Sequence, residues 1–420
     1  MLAPPRHPPT DDELEALIPE ARARRRRRLS KLAAVVATVA GIGLAVWAAL
    51  PAGTSALHPG GGPSRGAVDR SDAALSRFRG IGNVGSAGGV TWAISGRGFW
   101  LTSNGGRTWR LSRLPQLAKG GVASGRTDPI TNIAQVRFVD RRHGWVAVMG
   151  RSRIYRTTDG GRSWHVSTPP GCSRACEGGS ISFLDARHGY ALLYTRARDN
   201  RLFRTSDGGR TWQLVSRPPV YDHITFVDRM TGFAFGGEQR MVIGPIRAPD
   251  FGNLYRTTDG GRTWSRYVIH DSSRFVEQPF AVFGRTVVVA QNGSNPDGGI
   301  DLAPSTVYAS PDAGGHWTGR AVPPAVGVPA PLDAVSPSVW VWASHTGLYV
   351  THTGGRRWHR IVLQALRPAA SITTVDFTSS RVGWAIFTGI APHGSLFHTT
   401  DGGVHWKPAG PRAARHRRQR

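Results

Sequence analysis

Eight carboxylates recur at two fixed places in this chain, and carboxylates at fixed spacing are the material of acid–base catalysis and metal binding. Five of them, Asp159, Asp207, Asp259, Asp312 and Asp401, each follow a Ser or Thr by two positions and precede a Trp by five. The segments read TTDGGRSW, TSDGGRTW, TTDGGRTW, SPDAGGHW and TTDGGVHW, ending at Trp164, Trp212, Trp264, Trp317 and Trp406. Two more copies, TSNGGRTW and THTGGRRW, end at Trp109 and Trp358 and carry Asn104 and Thr353 in place of the Asp. The other three acids, Asp140, Asp185 and Asp228, follow a Phe by two positions and precede a Gly by four. Two carboxylates across a cleft would hydrolyse a glycosidic bond. Here the spacing favours a humbler role. Asp and Asn hydrogen-bond backbone amides two residues on, and Gly tolerates the positive φ of a tight turn. A Trp just after such a turn opens a strand and supplies apolar surface to bury. The acids are therefore expected to form turns, with no catalytic residue, no metal and no cofactor. His143 and His188 recur at one turn position and are read as turn residues, not metal ligands.

The elements that carry these turns follow from the period. The seven Trp are separated by 55, 48, 52, 53, 41 and 48 residues, which marks a repeat architecture. Upstream of several copies lies a second pattern: VRFVDRRHGWVAV from Val136, ISFLDARHGYALL from Ile181, ITFVDRMTGFAF from Ile224 and VDFTSSRVGWAIF from Val375. Apolar alternation about a short turn predicts a hairpin. Each unit then supplies four strands, and seven such units predict an all-β, seven-bladed β-propeller over residues 80–410. The short motif S/T-x-D-x-G-x-x-W resembles the Asp-box, or BNR repeat, of sialidases and related propellers. Asn104 and Thr353 depart from it, and those two turns are expected to be looser. The two-part unit is similar to propellers of the photosystem II stability and assembly factor type. That resemblance spans nearly all of 80–410, and it is specific for fold and weak for function.

Sialidase kinship makes a glycoside hydrolase the alternative reading. The Arg-Ile-Pro motif expected of a sialidase is absent, and the acids outside the two turn positions show no pairing in the sequence. A nucleophile elbow, a P-loop and zinc-binding His spacing are absent too. The expectation is a non-catalytic binding or assembly scaffold.

Charge and hydropathy place it. The chain has 53 Lys+Arg against 27 Asp+Glu, and its net +26 divides into +3 over residues 1–31, +5 over 412–420 and +18 between. Residues 32–50, LAAVVATVAGIGLAVWAAL, hold no charge and follow a basic run from Arg22 to Lys31. A 19-residue apolar helix is long enough to cross a bilayer, and the basic flank stays in the cytoplasm. The expected order is a cytoplasmic basic leader (1–31), a transmembrane signal-anchor helix (32–50), a Pro/Gly-rich linker (51–79), the propeller (80–410) and a basic disordered tail (411–420). A cleaved signal peptide and twin-arginine export are the competing readings. The protein is expected in a bacterial cell membrane, single-pass, with its propeller extracytoplasmic. A basic domain facing outward disfavours nucleic acid and points to a protein or anionic polymer of the cell envelope.

In a propeller the A–B and C–D turns share one face, and the B–C loops and blade-to-blade connections share the other. The long irregular segments all fall on the second face, where binding is expected. Arg196, Arg198, Arg201, Tyr221, Arg240 and Arg247 are the candidate binding residues there, since Arg suits carboxylate and phosphate recognition. Cys172 and Cys176 lie in one blade-to-blade connection and are expected to form a disulfide outside the cell.

Overall fold

The computed structural model of the chain describes residues 64–68 and 81–410, apart from 96–97, 116–132, 149–152, 173–175, 196–198, 220–222, 236–253, 268–275, 295–299, 324–331, 345–346, 364–370 and 389–394. The first strand, β1 (Ser64–Val68), precedes seven blades. Blade one is β2 (Ile81–Ala87), β3 (Val90–Ser95), β4 (Gly98–Thr102) and β5 (Arg110–Ser112). Blade two is β6 (Ile133–Phe138), β7 (Gly144–Val148), β8 (Ile154–Thr157) and β9 (His165–Ser167). Blade three is β10 (Cys176–Phe183), β11 (Gly189–Thr195), β12 (Arg201–Thr205) and β13 (Gln213–Ser216). Blade four is β14 (His223–Phe226), β15 (Gly232–Phe235), β16 (Leu254–Thr257) and β17 (Ser265–Tyr267). Blade five is β18 (Val276–Phe283), β19 (Thr286–Ser294), β20 (Ile300–Ser310) and β21 (Thr318–Ala321). Blade six is β22 (Leu332–Ala334), β23 (Trp340–Ser344), β24 (Gly347–Thr351) and β25 (His359–Leu363). Blade seven is β26 (Ser371–Phe377), β27 (Gly383–Thr388), β28 (Ser395–Thr399) and β29 (His405–Pro408). Within every blade the strands pair sequentially and antiparallel, as the repeat predicts.

The core lies between blades, not within them. Seven buried clusters each join two neighbours, including one that joins blade seven to blade one through Trp384, Ile386, Val84 and Ala93. A hairpin rule explains the packing. Phe183 at the end of strand A stands opposite Gly189 on strand B, and a Cβ on Gly189 would sit 2.3 Å from the Phe183 ring. The bare glycine lets the ring lie flat, stacked 3.6 Å from Trp145 of the preceding blade. Phe138–Gly144, Phe226–Gly232 and Phe377–Gly383 repeat the pairing, whereas blade six inverts it with Ala334 opposite Trp340. Large-against-small volume is kept, so the cross-strand site stays filled.

The ring closes without strand exchange, because the first and last blades are each one continuous stretch of chain. Asp376 of blade seven accepts the Ser86 N–H of blade one at 2.9 Å, and Trp109 meets Trp384 edge-on. Strand β1 is a difference from the linker reading of 51–79. Ser64–Gly66 run parallel to Ile361–Leu363 of β25, and Ala67–Val68 parallel to β29 at His405–Trp406. Both partners are outer strands with a free backbone edge, and an edge accepts almost any extended segment. Such pairing needs no apolar alternation, so composition could not reveal it. Among the described residues no helix is long and apolar enough to cross a membrane. Residues 1–50 and 411–420, with the expected anchor and tail, lie outside the described residues.

Candidate functional site

Each Asp-box closes on itself. In blade three Thr205 Oγ1 donates to Asp207 Oδ1 (2.8 Å) and accepts from the Gly209 N–H (2.8 Å). Asp207 Oδ1 accepts from the Arg210 and Thr211 amides (2.9 and 3.0 Å), and its Oδ2 from the Thr211 hydroxyl (2.6 Å). Gly208 and Gly209 have φ of 76° and 81°, which glycine adopts without strain. The Gly208 N–H reaches the Arg187 carbonyl of the A–B turn (2.8 Å), so the two turns of a blade are tied together. The same set recurs around Asp159 and Asp259, and in Asp312 and Asp401 a His ring replaces the hydroxyl donor. Asn104 keeps the pattern, accepting the Thr108 N–H at 3.0 Å, so that turn is not looser. Thr353 keeps less of it, chiefly the Arg357 N–H at 2.9 Å. Burial works against ionisation of Asp207, but the Thr211, Thr205 and Arg210 hydrogen bonds outweigh it and hold its carboxyl down at about 2.

The A–B turn acids are committed in the same way. Asp140 Oδ1 accepts the Arg142 and His143 amides (2.7 and 2.8 Å), and Asp185 and Asp228 repeat this. His143 and His188 each bond their own turn Asp at 2.8 Å. The box tryptophans tie turns to blades. Trp164 Nε1 donates to Ser112 Oγ of the preceding blade (2.8 Å) and Trp212 Nε1 to Ser167 Oγ (3.0 Å). Trp264 is only half-buried and donates to its own Gly261 carbonyl (3.1 Å). Trp406 is fully buried, while Trp109, Trp317 and Trp358 pack as partly buried side chains.

Of the candidate binding residues, Arg201 lies among the described residues. It pairs with Asp199 (2.7 Å) and donates to the Gly171 carbonyl (2.9 Å), clamping a B–C loop to a blade connection. Arg196, Arg198, Tyr221, Arg240 and Arg247 lie outside them. Cys172 and Cys176 form a disulfide, Cα–Cα 4.9 Å, and both are buried between blades two and three.

A cavity of about 990 Å³ opens at the axis on the Asp-box face, lined by the ends of the first strands. At one level the seven blades present Gly85, Arg137, Ser182, Thr225, Ala281, Asp333 and Asp376, each paired with the second residue of its strand B or the equivalent. Several are fasteners. Asp333 accepts the Phe377 N–H of the next blade, Ser182 the Phe226 N–H (2.9 Å), and Asp376 the Ser86 N–H. One layer deeper, Gln135 accepts the Ile181 N–H (2.6 Å) and meets His223 (3.3 Å). Burial, then the neighbouring Asp376 charge, holds the Asp333 carboxyl well above its usual range, and burial raises Asp376 too. Burial and the Arg137 charge push His223 down to about 4, so it is neutral. Arg137 is exposed to the cavity by surface area yet ringed by protein, and desolvation lowers its pKa with no carboxylate near enough to offset it. Sequence reasoning missed Arg137, Asp333 and Asp376 as a group. The available signal was their shared place in the repeat, one residue before the Phe of the hairpin pattern or its equivalent.

Seven closed S/T-x-D-type turns, one per blade, decide the repeat, and the BNR/Asp-box repeat family model matches residues 255–266. The chain is a seven-bladed Asp-box propeller. Among solved structures, a PL25 ulvan lyase is similar to the Asp-box propeller at 10% identity, with 79% of this chain and 96% of that one covered and a TM-score of 0.51. YCF48 from Cyanidioschyzon merolae is similar at 15% identity, covering 67% of this chain and 87% of that one, TM-score 0.48. A YCF48 bound to a D1 peptide is similar at 16% identity over 66% and 80% of the two chains, TM-score 0.45. At such identities the likeness is one of fold, and the fold serves both binding proteins and enzymes. No curated protein matches the chain.

Proposed function

We propose that this Asp-box propeller is a membrane-anchored, extracytoplasmic binding or assembly scaffold without catalytic activity. In this reading residues 1–31 are cytoplasmic, 32–50 cross the membrane, and the propeller meets a protein or anionic polymer of the cell envelope. The supporting observation is the commitment of the eight repeated acids, each of which accepts the hydrogen bonds of its own turn. A glycosidase needs carboxylates free to trade protons with a substrate. Because the Asp-box turns are internally satisfied, the macromolecular partner docks on the opposite face, where the connections between β11 and β12 and between β15 and β16 carry Arg196, Arg198, Arg240 and Arg247.

The test is crosslinking of the full-length chain in intact cells, followed by identification of captured partners. One variant carries Arg198→Glu with Arg240→Glu, the other Arg162→Glu with Arg210→Glu. Both remove the same formal charge, so a general electrostatic effect weakens them equally. The expected result is loss of capture by the first and retention by the second. The reverse ranking moves the partner to the Asp-box face. Protease added to intact spheroplasts should digest the propeller, and protection would overturn the topology.

A further inference from the structure

The axial cavity is sorted by charge. Arg137 stands on blade two, while Asp333 and Asp376 stand on blades six and seven, across the ring. Between them the same level carries Gly85, Ser182, Thr225 and Ala281, whose small side chains leave the axis open. From this geometry we infer that the cavity binds a dipolar ligand of amino-acid or short-peptide chemistry, its carboxylate on Arg137 and its ammonium on the Asp333–Asp376 wall. The inference rests on the reading that the propeller binds and does not catalyse.

Two unmet groups carry it. Among the described residues Arg137 has no hydrogen-bond or ion-pair partner, although a guanidinium enclosed by protein cannot discard its charge. An unpaired enclosed charge is costly, and a carboxylate in bidentate contact is its best partner. On the other wall Asp376 Oδ1 takes the Ser86 N–H, but Asp376 Oδ2 is buried with no hydrogen-bond donor. Buried carboxylate oxygens are nearly always satisfied, so this one marks the place of a donor that arrives from outside.

The remaining groups narrow the ligand. His223 shares the Arg137 side of the cavity and is held neutral, so it adds no second cation. Asp333 and Asp376 repel each other, and like charges in contact resist double ionisation, leaving about one negative charge on that wall. One positive and one negative group therefore face each other across the space. A purely anionic ligand would leave Asp376 unmet, and a purely cationic one would leave Arg137 unmet. A metal ion is disfavoured, since no three His, Cys, Asp or Glu among the described residues are placed to hold one. The volume of about 990 Å³ accommodates a short peptide.

Isothermal titration of the full-length protein with trialanine tests this, beside N-acetyl-trialanine and trialanine amide. Trialanine should bind, and capping either end should weaken it by about tenfold or more. In Asp376→Asn the penalty for N-acetylation should vanish while that for amidation persists. In Arg137→Gln the pattern should reverse. Arg162→Gln, on the outer rim, should behave as wild type. Absence of heat from trialanine at millimolar concentration, or equal binding of the capped forms, overturns the inference. The wild-type arm alone decides should a variant fail to fold. Partner capture in cells that survives beside a silent titration defeats this site and leaves the scaffold reading intact. Cleavage of the peptide during titration would defeat both.

Discussion

The Asp-box carboxylates and the axial carboxylates are the same chemical group in the same repeat, driven in opposite directions. Asp207 and Asp259 sit at the rim, accept several hydrogen bonds each, and are held down at about 2. Asp333 and Asp376 sit at the axis, accept a backbone N–H from the neighbouring blade, and are raised by burial. The difference lies in donor supply. A box turn is built to saturate its Asp locally, within four residues of chain. An axial acid depends on a strand contributed by another blade, and Asp376 is left with one oxygen unmet. Saturated acids are scaffold, and unsaturated ones in an open cavity are available to a ligand.

The largest effect should come from the residue that fastens a box to its neighbour. Trp164 is 5% exposed, sits in the cluster joining blades one and two, and reaches Ser112 across the blade boundary. Trp164→Ala should cost about 3–5 kcal/mol, the range for truncating a large core aromatic. Trp264→Ala should cost clearly less, because Trp264 is half-buried and bonds only its own turn. Urea denaturation of the two variants measures both. Equal losses would mean that the box tryptophans act within their own blades, and the contrast between rim and axis would lose its premise that inter-blade contacts decide stability.

That premise also sorts what was legible in the sequence. The box is local chemistry, so TTDGGRTW announced both its turn and its strand, and the Phe-to-Gly spacing announced the A–B hairpin. Blade six looked irregular because Ala334 and Trp340 exchange the large and small partners, which preserves volume but hides the pattern. Strand β1 was illegible because its pairing with β25 and β29 uses backbone alone. The axial group was illegible for another reason. Arg137, Asp333 and Asp376 are each unremarked in their own copy, and they become a site only when the ring places one repeat position of every blade around a common axis. Arg201 shows the converse, since an arginine chosen for loop position is held by Asp199 and Gly171.

A middle-sized effect should come from the box acid itself. Asp207→Ala removes the acceptor for the Thr205 and Thr211 hydroxyls and for two amides. The turn is at the surface and water replaces part of the loss, so about 1–2 kcal/mol is expected. Box six offers the reverse experiment. Thr353 supplies one good acceptor, to the Arg357 N–H, and Thr353→Asp should add the missing ones and stabilise by up to about 1 kcal/mol. Thermal melts at neutral pH check the pair. A destabilising Thr353→Asp would show that the sixth turn has its own geometry and is not a depleted copy of the others.

The smallest effect should be the most diagnostic, because it is one of sign. A carboxyl with a depressed folded pKa contributes stability that is present above the unfolded value of about 3.9 and is lost as pH falls through the folded value. For Asp207 and Asp259 that window runs from about 4 down through about 2, so above pH 4 the boxes contribute a constant. A carboxyl with a raised folded pKa does the opposite. For Asp333 and Asp376 stability is fully present below about 3.9 and is lost as pH rises through their raised values. His223, neutral in the fold, adds stability that is present above the unfolded His value of about 6.5 and is lost as pH falls toward about 4. The raw melting profile therefore mixes two slopes, and the informative quantity is the difference between wild type and the Asp333→Asn, Asp376→Asn double variant. Asn keeps a carbonyl oxygen for the Phe377 and Ser86 amides but cannot ionise, so His223 cancels in the subtraction. The variant should gain on wild type steadily as pH rises from 4 to 8. The gain is modest because the coupled pair gives up its two protons reluctantly and carries about one charge through most of that range. A difference that stays flat would mean that the axial acids ionise as freely as those at the rim, and the distinction between saturated scaffold acids and available axial acids would fall.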